Sequence, residues 1–158
     1  RVIMLQVEFI WNGKDKEGVL PVRKTDLSSG LDLKAYIDKR IVMKPGSRAL
    51  IDTGWSVKIP EGYEAQVRSR SGMAYKYGLF VLNSPGTIDR DYEGNIKVLL
   101  QNASAEDFIV LNGMAIAQLV IAPVAIVEPI DVRTGVLFQL DDAPIVRGSK
   151  GFGSTGDY

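Results

Sequence analysis

Glu64-Ala-Gln-Val-Arg68 and Asn95-Ile-Lys-Val-Leu-Leu100 decide the fold class of this chain. Apolar and polar side chains alternate in both, the period of a strand with one face in a core and the other in water. Moving outward, short runs rich in apolar residues recur at Arg48–Asp52, Trp55–Ile59, Asp107–Leu111 and Ala115–Ile121. Turn signals separate them: Lys44-Pro-Gly46, Pro60-Glu-Gly62, Ser84-Pro-Gly86 and Leu111-Asn-Gly113. No long stretch carries the 3.6-residue period of a helix, and Ser71–Tyr77 has room for one helical turn. Short strands punctuated every ten or so residues predict an all-β sandwich, jelly roll or barrel. No internal repeat or linker divides the chain. A single domain over residues 1–146 is expected, followed by a Gly-rich arm over 147–158 that is mobile until something binds it.

A chain of 158 residues is long enough for one domain with a real core. Lys and Arg total 19, and so do Asp and Glu, so no global field draws in a nucleic acid polymer or an anionic membrane. There is no cysteine and no histidine. Disulfides, thiol nucleophiles, Cys-based zinc sites and a Ser-His-Asp triad are therefore excluded. Any general base must be a carboxylate, a lysine or a tyrosine. The apolar opening is broken by Gln6 and Glu8, which does not suit a secretory leader. The longest apolar run, Leu119–Val127, contains Pro123 and falls far short of the ~20 residues of a membrane helix. A cytoplasmic protein is the expectation.

Three segments could carry chemistry. Arg147-Gly-Ser-Lys-Gly-Phe-Gly-Ser-Thr-Gly156 contains a GxGxxG and nearly a phosphate loop, with Ser154 where lysine is required. Both motifs need a following helix, and only Asp157 and Tyr158 follow here. What remains is local chemistry, with exposed amides, two hydroxyls, two cations and the aromatic Phe152 able to wrap an anion. The competing reading is a solvated tail. Arg68-Ser-Arg-Ser-Gly-Met-Ala74 offers guanidinium forks and hydroxyls to phosphate, or is simply a basic turn. Gly86-Thr-Ile-Asp-Arg-Asp-Tyr-Glu-Gly94 reads as a hairpin in which Asp89, beside Ile88, is partly buried and placed to act as a base. An acidic hairpin tip is the plainer alternative.

In combination and order, these segments resemble the five motifs of the trimeric dUTP pyrophosphatase (dUTPase) family. The motifs appear as Gly30-Leu-Asp-Leu-Lys-Ala35, Arg70-Ser-Gly-Met-Ala74, Gly86–Gly94, Gly113-Met-Ala-Ile-Ala-Gln118 and Arg147–Gly156. The fourth departs from the pattern: Met114 and Ala115 stand where an acidic residue and an arginine are usual. The segment through Gly18 has no counterpart in the motifs.

The resemblance implies a jelly-roll-like fold, or distorted β-barrel, working as a homotrimer. It also implies hydrolysis of dUTP to dUMP and pyrophosphate, which keeps uracil out of DNA and supplies dUMP for thymidylate synthesis. Asp89 would direct a water onto the α-phosphorus, and Asp32 would support the geometry of the site or a metal-bound water. Mg²⁺ would be held mainly by substrate phosphates and water rather than by a protein cage. Arg70, Ser71, Gly72 and Gln118 would hold phosphates, and Arg147, Gly153, Ser154 and Thr155 would close over them from the arm. A base pocket would draw on the hairpin from Asn83 to Ile96, with Gly86, Thr87 and Ile88, and on Lys97. Tyr92 would lie against the deoxyribose and Phe152 would stack on uracil. One subunit would give the base hairpin, a second the phosphate-binding turn, a third the arm. Two rivals stand beside this reading: a dCTP deaminase on the same fold, and a β-protein that binds nucleotide without turning it over.

Overall fold

The computed structural model describes residues 4–15, 18–137, 148–149 and 151–152. Arg147, Gly153, Ser154 and Thr155 lie outside the described residues. Among the described residues, thirteen strands and one short helix follow each other as the alternation requires. Strands β2 (Leu31–Lys34), β6 (Tyr63–Arg68), β8 (Gly86–Ile88) and β11 (Ala115–Pro123) form an antiparallel sheet in the order β2-β11-β6-β8. A second sheet has the order β4 (Arg48–Asp52), β9 (Lys97–Asn102), β7 (Leu79–Val81). Three antiparallel pairs complete the fold: β1 (Glu8–Trp11) with β5 (Trp55–Lys58), β3 (Ile41–Met43) with β10 (Phe108–Val110), and β12 (Ile130–Asp131) with β13 (Val136–Leu137).

The core forms where the inward positions of the two larger sheets meet. Ala65 and Val67 of β6, Leu119 of β11, and Val98 and Leu100 of β9 are buried together with Leu33, Ile51 and Val81. Burying such side chains stabilises the fold by about 1.5–3 kcal/mol each. Asn102 is the one polar side chain in β9 to face this core. Its Nδ2 donates to the carbonyls of Met43 and Glu106, and its Oδ1 accepts from the Ser104 amide, so the buried amide is satisfied.

Several expectations shift. Strand β4 spans the anticipated residues, but β9 begins at Lys97 instead of Asn95. Ile96 is fully buried, its amide donates to the Trp55 carbonyl, and its carbonyl accepts from the amide and hydroxyl of Thr53. With both faces of its peptide engaged, Ile96 is a core residue and is not available to line a base pocket. The hairpin expected between Gly86 and Gly94 is also corrected. Strand β8 pairs with β6, while β9 pairs with β4 and β7, so residues 89–96 form a loop that crosses from one sheet to the other. The helix α1 (Ser71–Tyr77) is nearly two turns long and ends at Gly78, whose φ of 65° is the left-handed cap that glycine takes without strain. Finally, the apolar run Leu119–Val127 divides at Pro123. Leu119 sits in the core, whereas Ile126 and Val127 are 92% and 78% exposed.

Candidate active site

A cavity of about 210 Å³ opens beside β8. Asn83, Gly86, Thr87 and Ile88 line one side, Tyr92 and Lys97 another, and Gly151 with Phe152 a third. Gly86 faces Val67 across the sheet and the Asn83 side chain lies over it. A Cβ at Gly86 would meet both at 3.3 Å. Glycine is what lets the Asn83 amide approach the strand so closely. Asp89 follows directly, half-buried, just past the cavity-lining end of β8.

Tyr92 is set by the crossing loop. Its amide donates to the Asp89 carbonyl at 3.1 Å and its hydroxyl to the Asn95 carbonyl at 2.9 Å. A Cβ at Gly94 would stand 2.5 Å from the Tyr92 hydroxyl, so only glycine lets the ring lie down there. Burial, with a smaller push from the Asp52 carboxylate, raises the phenol above its usual value. The hydroxyl therefore stays protonated and donating throughout the neutral range.

The described part of the arm lies against this same cavity. The Gly148 carbonyl accepts from the Glu93 amide at 2.7 Å, and Gly148 pairs with Tyr92 as a parallel bridge. A Cβ at Gly151 would sit 3.3 Å from the Tyr92 ring. Phe152 adopts φ 52°, a conformation that a non-glycine residue rarely takes, and is 51% exposed at the cavity mouth. Within a single chain, Gly151 and Phe152 thus meet the cavity beside β8.

A second, larger cleft of about 780 Å³ holds the other motif residues, Asp32, Arg70, Ser71, Gly72 and Gln118. Arg70 is the N-cap of α1, and its guanidinium is clamped in place. Nε reaches one oxygen of Asp32 at 3.1 Å, Nη2 the other at 3.4 Å, and Nη1 donates to the Ala115 carbonyl at 2.9 Å. A forked cation held this way keeps further N–H groups for a phosphate and loses little entropy on binding one. Both carboxylate oxygens of Asp32 are thereby engaged with the Arg70 guanidinium. Gln118 Nε2 donates to the Ser69 carbonyl at 2.9 Å, and Gly30 has no room for a Cβ beside the Gln118 side-chain oxygen. The Met114-Ala115 departure leaves the Arg70 anchor intact because the backbone of Ala115 supplies it.

The expected residues thus fall into two groups that share no lining residue: Asn83, Gly86, Thr87, Ile88, Tyr92, Lys97 and Phe152 around one cavity, Asp32, Arg70, Ser71, Gly72 and Gln118 around the other. Lys24, Ser28 and Lys76, unmarked by any motif, join the second. The polar side chains behind Tyr92 also escape a motif search, because Asn95 and Asp52 are 43 residues apart.

The family model for dUTPase matches residues 16–156. The chain belongs to the dUTPase family. It is 49% identical to the deoxyuridine 5'-triphosphate nucleotidohydrolase of Ehrlichia canis over 87% of this chain and 86% of that protein. It is 51% identical to the enzyme of the same name from Chlamydia trachomatis, over 87% and 91%. Among solved structures it resembles the D95N mutant dUTPase from phage phi11 of S. aureus, described for its coordination of a structural Mg(II) ion, with TM-score 0.71 and 25% identity over 81% of this chain and 97% of that one. The architecture is the all-β, jelly-roll-like dUTPase fold, and this dUTPase hydrolyses dUTP. Among the described residues no helix is long and apolar enough to cross a membrane.

Proposed function

We propose that uracil enters the cavity beside β8, that the triphosphate is held by the Arg70 turn of a second copy, and that Asp89 directs water onto the α-phosphorus. The observation that carries this reading is the edge position of β8. It ends its sheet, so among the described residues one edge of its backbone has no neighbouring strand, and its residues line the cavity. Such an edge offers donors and acceptors that pair with uracil as another strand would. A tight pocket there leaves no room for the 5-methyl of thymine and mismatches the amino group of cytosine. Tyr92 lies against the sugar where a 2′-hydroxyl would need space. Phe152 stacks on the base, a contact worth about 1–3 kcal/mol.

Arg70, Ser71, Gly72 and Gln118 take phosphate oxygens, and Arg147, Gly153, Ser154 and Thr155 close over the far end. Mg²⁺ would be held by oxygens of the triphosphate itself, with waters completing its shell, and would neutralise charge on the phosphates. The attacking oxygen bonds to the α-phosphorus as the bond to the bridging oxygen breaks, so pyrophosphate leaves and Asp89 accepts the water's proton. The base and phosphate clefts of one chain are separate, which favours a site completed by neighbouring copies in a homotrimer. Hydrolysis in ¹⁸O-labelled water tests the chemistry: label in dUMP supports attack at the α-phosphorus, and label in pyrophosphate contradicts it. Ammonia release from dCTP would instead mark a deaminase.

A further inference from the structure

The geometry points to Asn95 as a positioning residue for Tyr92, and through Tyr92 for the deoxyribose, with Asp52 and Asn12 fixing Asn95 from behind. The inference rests on Tyr92 lying against the sugar, as proposed above. Among the described residues the Tyr92 side chain has one polar tether, its hydroxyl bond to the Asn95 carbonyl. Residue 95 lies in no strand, so no ladder fixes that carbonyl. Its own side chain does. Asn95 Nδ2 donates to both carboxylate oxygens of Asp52, at 3.0 and 3.1 Å, and its Oδ1 accepts from Asn12 Nδ2 at 2.8 Å.

Each support is itself anchored. Asp52 ends β4 and also accepts the Gly54 amide at 2.7 Å. Asn12, just past β1, donates its backbone amide to the Gly54 carbonyl and its side chain to Ser56 Oγ, which is buried in β5. Strands β1, β4 and β5 thus converge on one carbonyl. The Tyr92 ring is fenced on its other sides by the backbones of Gly94 and Gly151, which leave no space for a Cβ at Gly94. Asn12 precedes the residues matched by the family model, so the N-terminal strand contributes to sugar selection from outside it.

The test is steady-state kinetics on dUTP and UTP with wild type, Asn95→Ala and Asn12→Ala. Losing these hydrogen bonds should lower the ratio of kcat/KM for dUTP over UTP by about three- to tenfold in Asn95→Ala. The change should appear as a higher KM for dUTP, with kcat held within about twofold. Asn12 is exposed, so its alanine variant tests the same path without threatening the fold and should shift the ratio in the same direction, by about twofold. Asp52→Asn, which keeps one acceptor for Asn95, should fall between wild type and Asn95→Ala. A wild type that selects deoxyribose while Asn95→Ala and Asn12→Ala select it equally well overturns the positioning role alone. A wild type with no preference overturns the sugar reading and this inference together.

Discussion

A carboxylate is a weak base at neutral pH, so the role proposed for Asp89 is one of placement. It follows the last cavity-lining residue of β8, and its carbonyl anchors Tyr92. Asp89→Asn preserves shape and should lower kcat by ~10²–10⁴ while leaving affinity for a non-hydrolysable dUTP analogue unchanged. Calorimetric titration beside turnover checks both halves. Tyr92 gives a second outcome. Its pKa is raised in the folded state, so the unfolded chain loses the phenol proton first as pH climbs. The stability it contributes is therefore complete below the ordinary tyrosine value of 10 and declines as pH rises through the folded value. Urea denaturation from pH 8 to 11 should show a smaller alkaline loss in Tyr92→Phe than in wild type.

The strand–turn–helix from β6 into α1 holds Arg70 at the second cleft, and Asp32 from β2 locks its fork. Asp32→Ala frees the guanidinium and should raise KM for dUTP about tenfold, the scale of losing a charged hydrogen bond. An unchanged KM would mean that the Ala115 carbonyl alone suffices. Strand β4 could be read from the sequence because its signal is local, a short apolar run after the Lys44-Pro-Gly46 turn, and the bounds of α1 were legible too, although only one turn was expected of it. The partner of β8 could not, since Gly86-Thr-Ile88 alternates equally well beside β9 or β6. The structure pairs it with β6, with Gly86 opposite Val67 and Ile88 opposite Ala65. Motif order marked residues that line the two clefts, but the Asn12–Asn95 bond spans 83 positions and leaves no local trace.

The molecule as a whole carries its two clefts apart and exposes Ile126, Val127, Val132 and Val136 beyond β11. Apolar side chains this exposed suit contacts between copies. Sedimentation at micromolar concentration should give three times the 17.3 kDa chain mass, and a monomer would leave the divided site without its missing half. The arm belongs to the same scale. Phe152→Ala should lower kcat/KM for dUTP by about tenfold, with thermal melting unaltered, because the ring meets the cavity and not the core. The cavity beside β8 is at the centre of all of this, and its selectivity is measured most directly by pyrophosphate release from dUTP, UTP, dCTP and dTTP at equal concentration with Mg²⁺. The account predicts rapid release from dUTP and poor release from the other three. Comparable rates on all four would contradict it.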